Sequence, residues 1–205
     1  MSGRIAALIM AATFLGGTGA YAQDVNASPH PGFVEVTYIP VGAAFFTSKG
    51  NAPSFGNYGF GTAVTFNLNQ YIGVEGELGT MIATTSDLQF GDLNHHVKSP
   101  NMLSYTGNVL YYPWSGHGIS PYATGGIGGL TMFERPELGV TDDVTFLSGN
   151  VGGGVKWYAP NNRWGIRGDY RFITTESKDS APAFFGRDSR YGHRVYGAVI
   201  INAVK

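Results

Sequence analysis

Between Arg163 and Phe172 the chain reads R-W-G-I-R-G-D-Y-R-F, and side chains of two opposite kinds alternate without a break. A strand sends successive side chains to opposite faces. Trp164, Ile166, Tyr170 and Phe172 therefore share one face with Gly168, and Arg163, Arg167, Asp169 and Arg171 share the other with Gly165. The run before it behaves alike, with Val151, Val155 and Trp157 against Asn150, Gly152, Gly154 and Lys156. Only Ala159-Pro160-Asn161-Asn162 separates the two. Trp157, Tyr158 and Trp164 cluster beside that break, where an interfacial aromatic girdle would sit. A sandwich core does not accept Arg167, Asp169 and Arg171 on one strand, because unpaired charge is costly away from water. A barrel lumen accepts them when they are paired or wet. The expected wiring is inside-out: Trp157, Trp164, Ile166, Tyr170 and Phe172 toward lipid, and the charges toward the axis. A soluble lipocalin-like barrel, with the faces inverted, is the alternative fold.

The first 22 residues read as a signal peptide. Arg4 supplies a positive start, Ile5 to Leu15 a short apolar core, and Ala20-Tyr21-Ala22 a cleavage site before Gln23. Residues 23–31 form an irregular leader, and 32–205 are expected to be one barrel domain. That domain holds no apolar run long enough to span a bilayer as a helix. If it spans, it does so as a closed barrel, which satisfies every backbone group internally. The chain has no cysteine, and a ladder closed on itself needs no disulfide. With only 13% charged residues and a net charge of −1, it lacks the basic footprint of a nucleic-acid binder.

Taken in order, the alternation predicts strands over about 33–46, 57–68, 71–84, 100–112, 121–133, 144–158, 163–175 and 190–204. Pro40 falls inside the first and predicts a bulge. The facing of the fifth, P-Y-A-T-G-G-I-G-G-L-T-M-F, is ambiguous. The connections run long, short, long, short, long, short, long, with the long ones near 47–56, 85–99, 134–143 and 176–189. Short periplasmic turns opposite longer external loops are the rhythm of an outer-membrane barrel. The expected fold is an all-β, eight-stranded antiparallel up-and-down transmembrane barrel.

Three stretches carry a family likeness. G-V-K-W-Y-A-P-N-N-R-W-G-I-R-G-D-Y-R-F resembles the late hairpin of the outer membrane protein beta-barrel domain, the OmpA-like and OmpX-like group. P-Y-A-T-G-G-I-G-G resembles its fifth strand, and N-L-N-Q-Y-I-G-V-E-G-E-L-G its second hairpin. The resemblance covers most of 32–204 and implies an outer-membrane location in a Gram-negative-type bacterium. Such barrels commonly end in an aromatic residue, whereas this chain ends Ile201-Asn202-Ala203-Val204-Lys205.

By parity, Glu75, Glu77, Lys156, Arg167, Asp169, Arg171 and Arg194 all belong to the inner face. An eight-stranded barrel is just wide enough for side chains to fill, so opposite charges are expected to pair there as a plug. A gated narrow pore is the functional alternative. Glu75 and Glu77 lie too close to expected cations to serve as a raised-pKa acid, and no catalytic motif appears. His95-His96, near Asp87 and Asp92, offers too few convergent ligands for a metal site. His193 has no clear serine beside it. Gly152-Gly153-Gly154 lies within a strand and reads as a packing feature. No cofactor is called for. The expected role is envelope integrity or surface interaction through the long loops, with the bilayer and an extracellular or host-surface molecule as partners. Phe184-Phe185 in the last loop is a candidate adhesion contact, although such a pair more often packs back on the rim. Alternatives are a narrow pore or apolar-ligand transporter, and a lipid-modifying enzyme.

Overall fold

The computed structural model describes residues 30–90 and 93–204, and for 85–97 the backbone only. Residues 1–29, and with them the signal peptide and most of the leader, lie outside the described residues. Ten strands form: β1 Val34–Phe46, β2 Phe55–Asn67, β3 Ile72–Ala83, β4 Thr85–Phe90, β5 Leu93–Lys98, β6 Met102–Tyr111, β7 Ile119–Met132, β8 Val144–Tyr158, β9 Trp164–Thr175 and β10 Tyr191–Val204. Eight of them close a barrel in the order β1-β10-β9-β8-β7-β6-β3-β2. Every pairing is antiparallel between chain neighbours, and β1 closes on β10. Closure removes the unpaired edge that a lone sheet would expose.

The remaining two strands correct one expectation. The stretch 85–99, expected as a polar loop, carries the two-stranded ribbon β4–β5, in register from Thr85↔Lys98 to Phe90↔Leu93. Its polar composition hid it, because the stretch shows no apolar alternation in sequence. His95, His96 and Asp87 belong to this ribbon and their side chains, like Asp92 altogether, lie outside the described residues.

All large connections emerge at one end, the loop end; the turns 68–71, 112–118 and 159–163 gather at the other with both ends of the described chain. The turn after β8 closes through the Asn162 N–H donating to Ala159 O at 2.8 Å. Asn162 is left-handed there (φ 50°), a conformation that asparagine tolerates better than most residues. Its side chain also receives the His30 N–H at 3.1 Å, fixing the start of the described chain beneath β9.

Pro40 cannot donate to the ladder. The register of β1 shifts against β10 between Tyr38 and Val41, and against β2 between Ile39 and Gly42. The bulge changes the parity of β1. Before it Glu35, Thr37 and Ile39 point inward; after it Ala44 and Phe46 do.

The wall is inside-out. Tyr38, Tyr58, Leu147, Val151, Ile166 and Val195 are exposed on the outside, while Arg171, Lys156, Arg167 and Glu75 are almost wholly buried within. Apolar surface of this extent on a closed outer wall suits lipid, not water. Exposed aromatics ring the turn end, namely Phe33, Tyr71, Tyr111, Trp114, Trp157 and Trp164, and Trp157 meets Trp164 edge-on at 5.7 Å. Tyr170 and Phe172 extend the outer face toward the loop end, where Phe172 stacks on Tyr191 at 5.6 Å. Tyr158, grouped with the girdle by its neighbours in sequence, points the other way and is 1% exposed. It shares the parity of Lys156, and adjacency to Trp157 outweighed that parity in the sequence reading.

Candidate functional site

Among the described residues, charged and polar side chains concentrate in the lumen, where they are stacked in layers. Nearest the turn end, Lys156 donates to Glu35 Oε2 and, at 2.8 Å, to the Tyr112 hydroxyl. Tyr158 donates its hydroxyl to Glu35 Oε1 at 2.5 Å, and Tyr112 passes its own proton to Asn67 Oδ1 at 3.0 Å. β1, β6, β8 and β2 are thereby cross-linked through side chains alone.

The next layer centres on Glu75 and Asp169. Arg167 donates to Glu75 through Nη1, to Asp169 Oδ2 at 2.7 Å through Nη2, and to the Tyr122 hydroxyl at 2.6 Å through Nε. Tyr122 in turn donates to Asp169. Thr65 and Asn108 complete the Glu75 carboxylate at 3.0 and 3.3 Å. Arg171 donates to Asp169 Oδ1 at 3.0 Å and to Glu75 Oε1 at 2.9 Å, so each carboxylate bridges two guanidinium groups. Above it, Glu77 binds Arg194 and lies 3.3 Å from Arg171 Nη2, and the Tyr196 hydroxyl donates to it at 3.2 Å.

Glu75, Glu77, Lys156, Arg167, Asp169, Arg171 and Arg194 thus meet inside the barrel. Buried ions are tolerable only when each has opposite charge and hydrogen bonds around it. The sequence reading left out Glu35, Tyr112, Tyr122, Tyr158, Asn108 and Arg190 as members of this system. For Glu35 the signal was present, since V-E-V-T-Y alternates. For Tyr122 the facing was ambiguous, because four glycines interrupt the alternation of its strand.

Glycine makes the space. A Cβ on Gly154 would lie 2.1 Å from the Gly168 carbonyl oxygen and 2.5 Å from the Tyr122 hydroxyl. The Gly152–Gly154 stretch therefore brings β7 and β9 close enough for Tyr122 to reach Arg167 and Asp169.

Toward the loop end the lumen turns apolar. Phe46, Phe55, Met81, Met102, Met132 and Phe146 line it, and Phe184 and Phe185 from the last loop fill it. Both phenylalanines are 1% exposed, so the pair packs back into the rim and is not an exposed adhesion contact. Phe185 packs on Phe146 at 4.6 Å and Phe184 on Phe55 at 4.9 Å. The loop folds inward because two adjacent aromatic rings gain far more from an apolar mouth than from water. Arg190 locks that arrangement. It donates to the carbonyls of Phe184 (3.2 Å), Phe185 (2.9 Å), Thr47 (3.1 Å) and Pro53, and its guanidinium lies over the Phe55 and Phe185 rings. Burial pushes this guanidinium down to about 10, still charged at neutral pH, and no carboxylate touches it among the described residues.

On the outer wall, His193 Nδ1 lies 2.7 Å from the Tyr170 hydroxyl, and its ring packs between Tyr170 and Phe172. Its hydrogen-bond partner is a phenol, not a serine.

A closed eight-stranded wall, apolar outside and ionic within, defines a membrane-spanning barrel of the small, filled-lumen class. Residues 10–191 match the outer membrane protein beta-barrel domain, and the chain belongs to that family, whose place is the Gram-negative outer membrane. Among solved structures, Neisserial surface protein A (NspA) is similar with a TM-score of 0.57 at 13% identity, over 82% of this chain and 96% of that one. This likeness is one of fold. The attachment invasion locus protein Ail of Yersinia pestis, in complex with the heparin analogue sucrose octasulfate, gives 0.49 at 16% identity, over 83% and 98% of the two chains. The N-terminal β-barrel domain of Pseudomonas aeruginosa OprF gives 0.46 at 12% identity, over 82% and 96%. No curated protein matches the chain in sequence.

Proposed function

We propose that this protein is a non-conducting, non-catalytic outer-membrane barrel that stabilises the envelope and meets surface partners through its loop end. In this reading residues 1–22 direct export and the outer wall is partnered by lipid. The observation that carries it is the double closure of the lumen: a layer of mutually paired ions backed by an aromatic plug. Side chains fixed in this way leave the loops as the part of the molecule free to vary and to touch other molecules. With Phe184 and Phe185 turned inward, contact with a partner falls to residues that stay exposed at that end, such as Asp179, Arg187 and Asp188. His193, bonded to Tyr170, lacks the nucleophile that a lipid hydrolase needs. The test is the purified mature barrel in a planar bilayer, paired with a deletion strain challenged by bile salts. The expected results are a silent membrane and a sensitised strain. Regular conductance steps make the protein a pore, and lipid A deacylation by the purified barrel makes it an enzyme.

A further inference from the structure

Between the ionic layers and the aromatic plug lies a small chamber of about 10 Å³, room for a single small occupant. Ser104, Thr106, Ser148, Asn150, Arg171 and Arg194 line it, and Ile173 closes its loop side. Arg171 and Arg194 stand directly opposite each other in the β9–β10 register. Like charges so placed repel, and Glu77 is the carboxylate they share. Both arginines are more than nine-tenths buried, at 1% and 7% exposure. Yet Arg171 Nη1 and Arg194 Nε have no hydrogen-bond partner among the described residues. Asn150 Oδ1, an acceptor, also lacks one, while its Nδ2 donates to Asn108 at 3.0 Å.

We propose that the chamber binds one small monovalent anion of halide size. The anion accepts from Arg171 Nη1 and Arg194 Nε, charge-assisted donors that are strong where bulk solvent is excluded. The hydroxyls of Ser104, Thr106 and Ser148 supply further donors. The site offsets the repulsion between the two arginines.

The test uses the mature barrel in detergent, with its thermal unfolding followed in sodium chloride, sodium bromide and sodium gluconate at equal ionic strength. Gluconate is too large for the chamber. The halides are expected to raise the midpoint by about 3–5 °C over gluconate, the size of effect that saturating a site of modest affinity gives a chain of this length. Ser148→Leu, which fills the chamber, is expected to abolish the difference. Equal midpoints in the three salts, or a halide effect that survives Ser148→Leu, overturn the proposal. Crystals of the unaltered protein grown in bromide decide the matter should that variant fail to fold. An anomalous peak between Arg171 and Arg194 supports the site, and a chamber holding only water refutes it.

Discussion

Arg171 and Arg194 face each other across the β9–β10 ladder, and the carboxylate of Glu77 touches both. Removing that carboxylate takes from Arg194 its carboxylate partner and from Arg171 one of three, Asp169 and Glu75 remaining. Loss of one partner from a buried ionic cluster costs about 3–5 kcal/mol. Glu77→Ala is therefore expected to lower the unfolding midpoint in detergent by roughly 10 °C, read from heat-modifiable gel migration. An unchanged midpoint would mean that the cluster contributes nothing to stability.

Lys156 and Glu35 tie β8 to β1 across the barrel. Breaking this pair should cost more than deleting it, because a lone buried charge is worse than none. Lys156→Met alone is expected to lose about 3 kcal/mol, and Lys156→Met with Glu35→Gln to recover at least half of that. Urea titration of the refolded barrel measures both. A double variant as unstable as the sum of the singles would show that the two residues act independently.

Phe185 packs against Phe46, Phe55 and Phe146, and Arg190 binds the carbonyls of Phe184 and Phe185 in the β9–β10 loop and of Pro53 in the β1–β2 loop. Phe185→Ala leaves a cavity costing about 3–5 kcal/mol locally. Arg190→Leu removes the clasp. In both variants trypsin is expected to cut at the exposed Arg187 at least tenfold faster than in the native barrel, with the β-ladder intact by circular dichroism. Cleavage at the native rate in both would show that the loop does not depend on its plug.

Gly154 tests how closely the strands approach. Any Cβ there meets the Gly168 carbonyl and the Tyr122 hydroxyl. Gly154→Val is expected to abolish refolding, and Gly76→Ala, at an outward glycine with open space around it, to be neutral. Equal refolding yields would contradict the packing described.

Much of this architecture could be read from period alone. The β8–β9 hairpin showed both faces because its residues are strongly one kind or the other, and the eight strand positions agree with the barrel to within two residues. Arg167, Asp169 and Arg171 were placed inward by parity, and their partners Glu75 and Glu77 likewise. What escaped the sequence has physical causes. Tyr122 sits in a strand whose glycines have no facing to read. Tyr158 is amphipathic, so it suits a girdle as well as a lumen, and only its hydroxyl on Glu35 settles the matter. The β4–β5 ribbon lacks the apolar alternation that makes a strand visible in sequence. Phe184 and Phe185 sit in a polar loop; that such a pair packs back on the rim was legible, but the depth of its insertion depends on the apolar mouth built by six other strands.

The central claim is that the wall is inside-out, and a lipid-borne carbene photolabel tests it directly on the unaltered protein in vesicles, with adducts located by mass spectrometry. The expected adducts fall on Val151, Ile166, Tyr170, Val195 and Val199, with Tyr122, Ile173, Tyr196 and Ile200 unmarked. Labelling of Tyr122, Tyr196 and Ile200, with Ile166 and Tyr170 spared, would contradict the account.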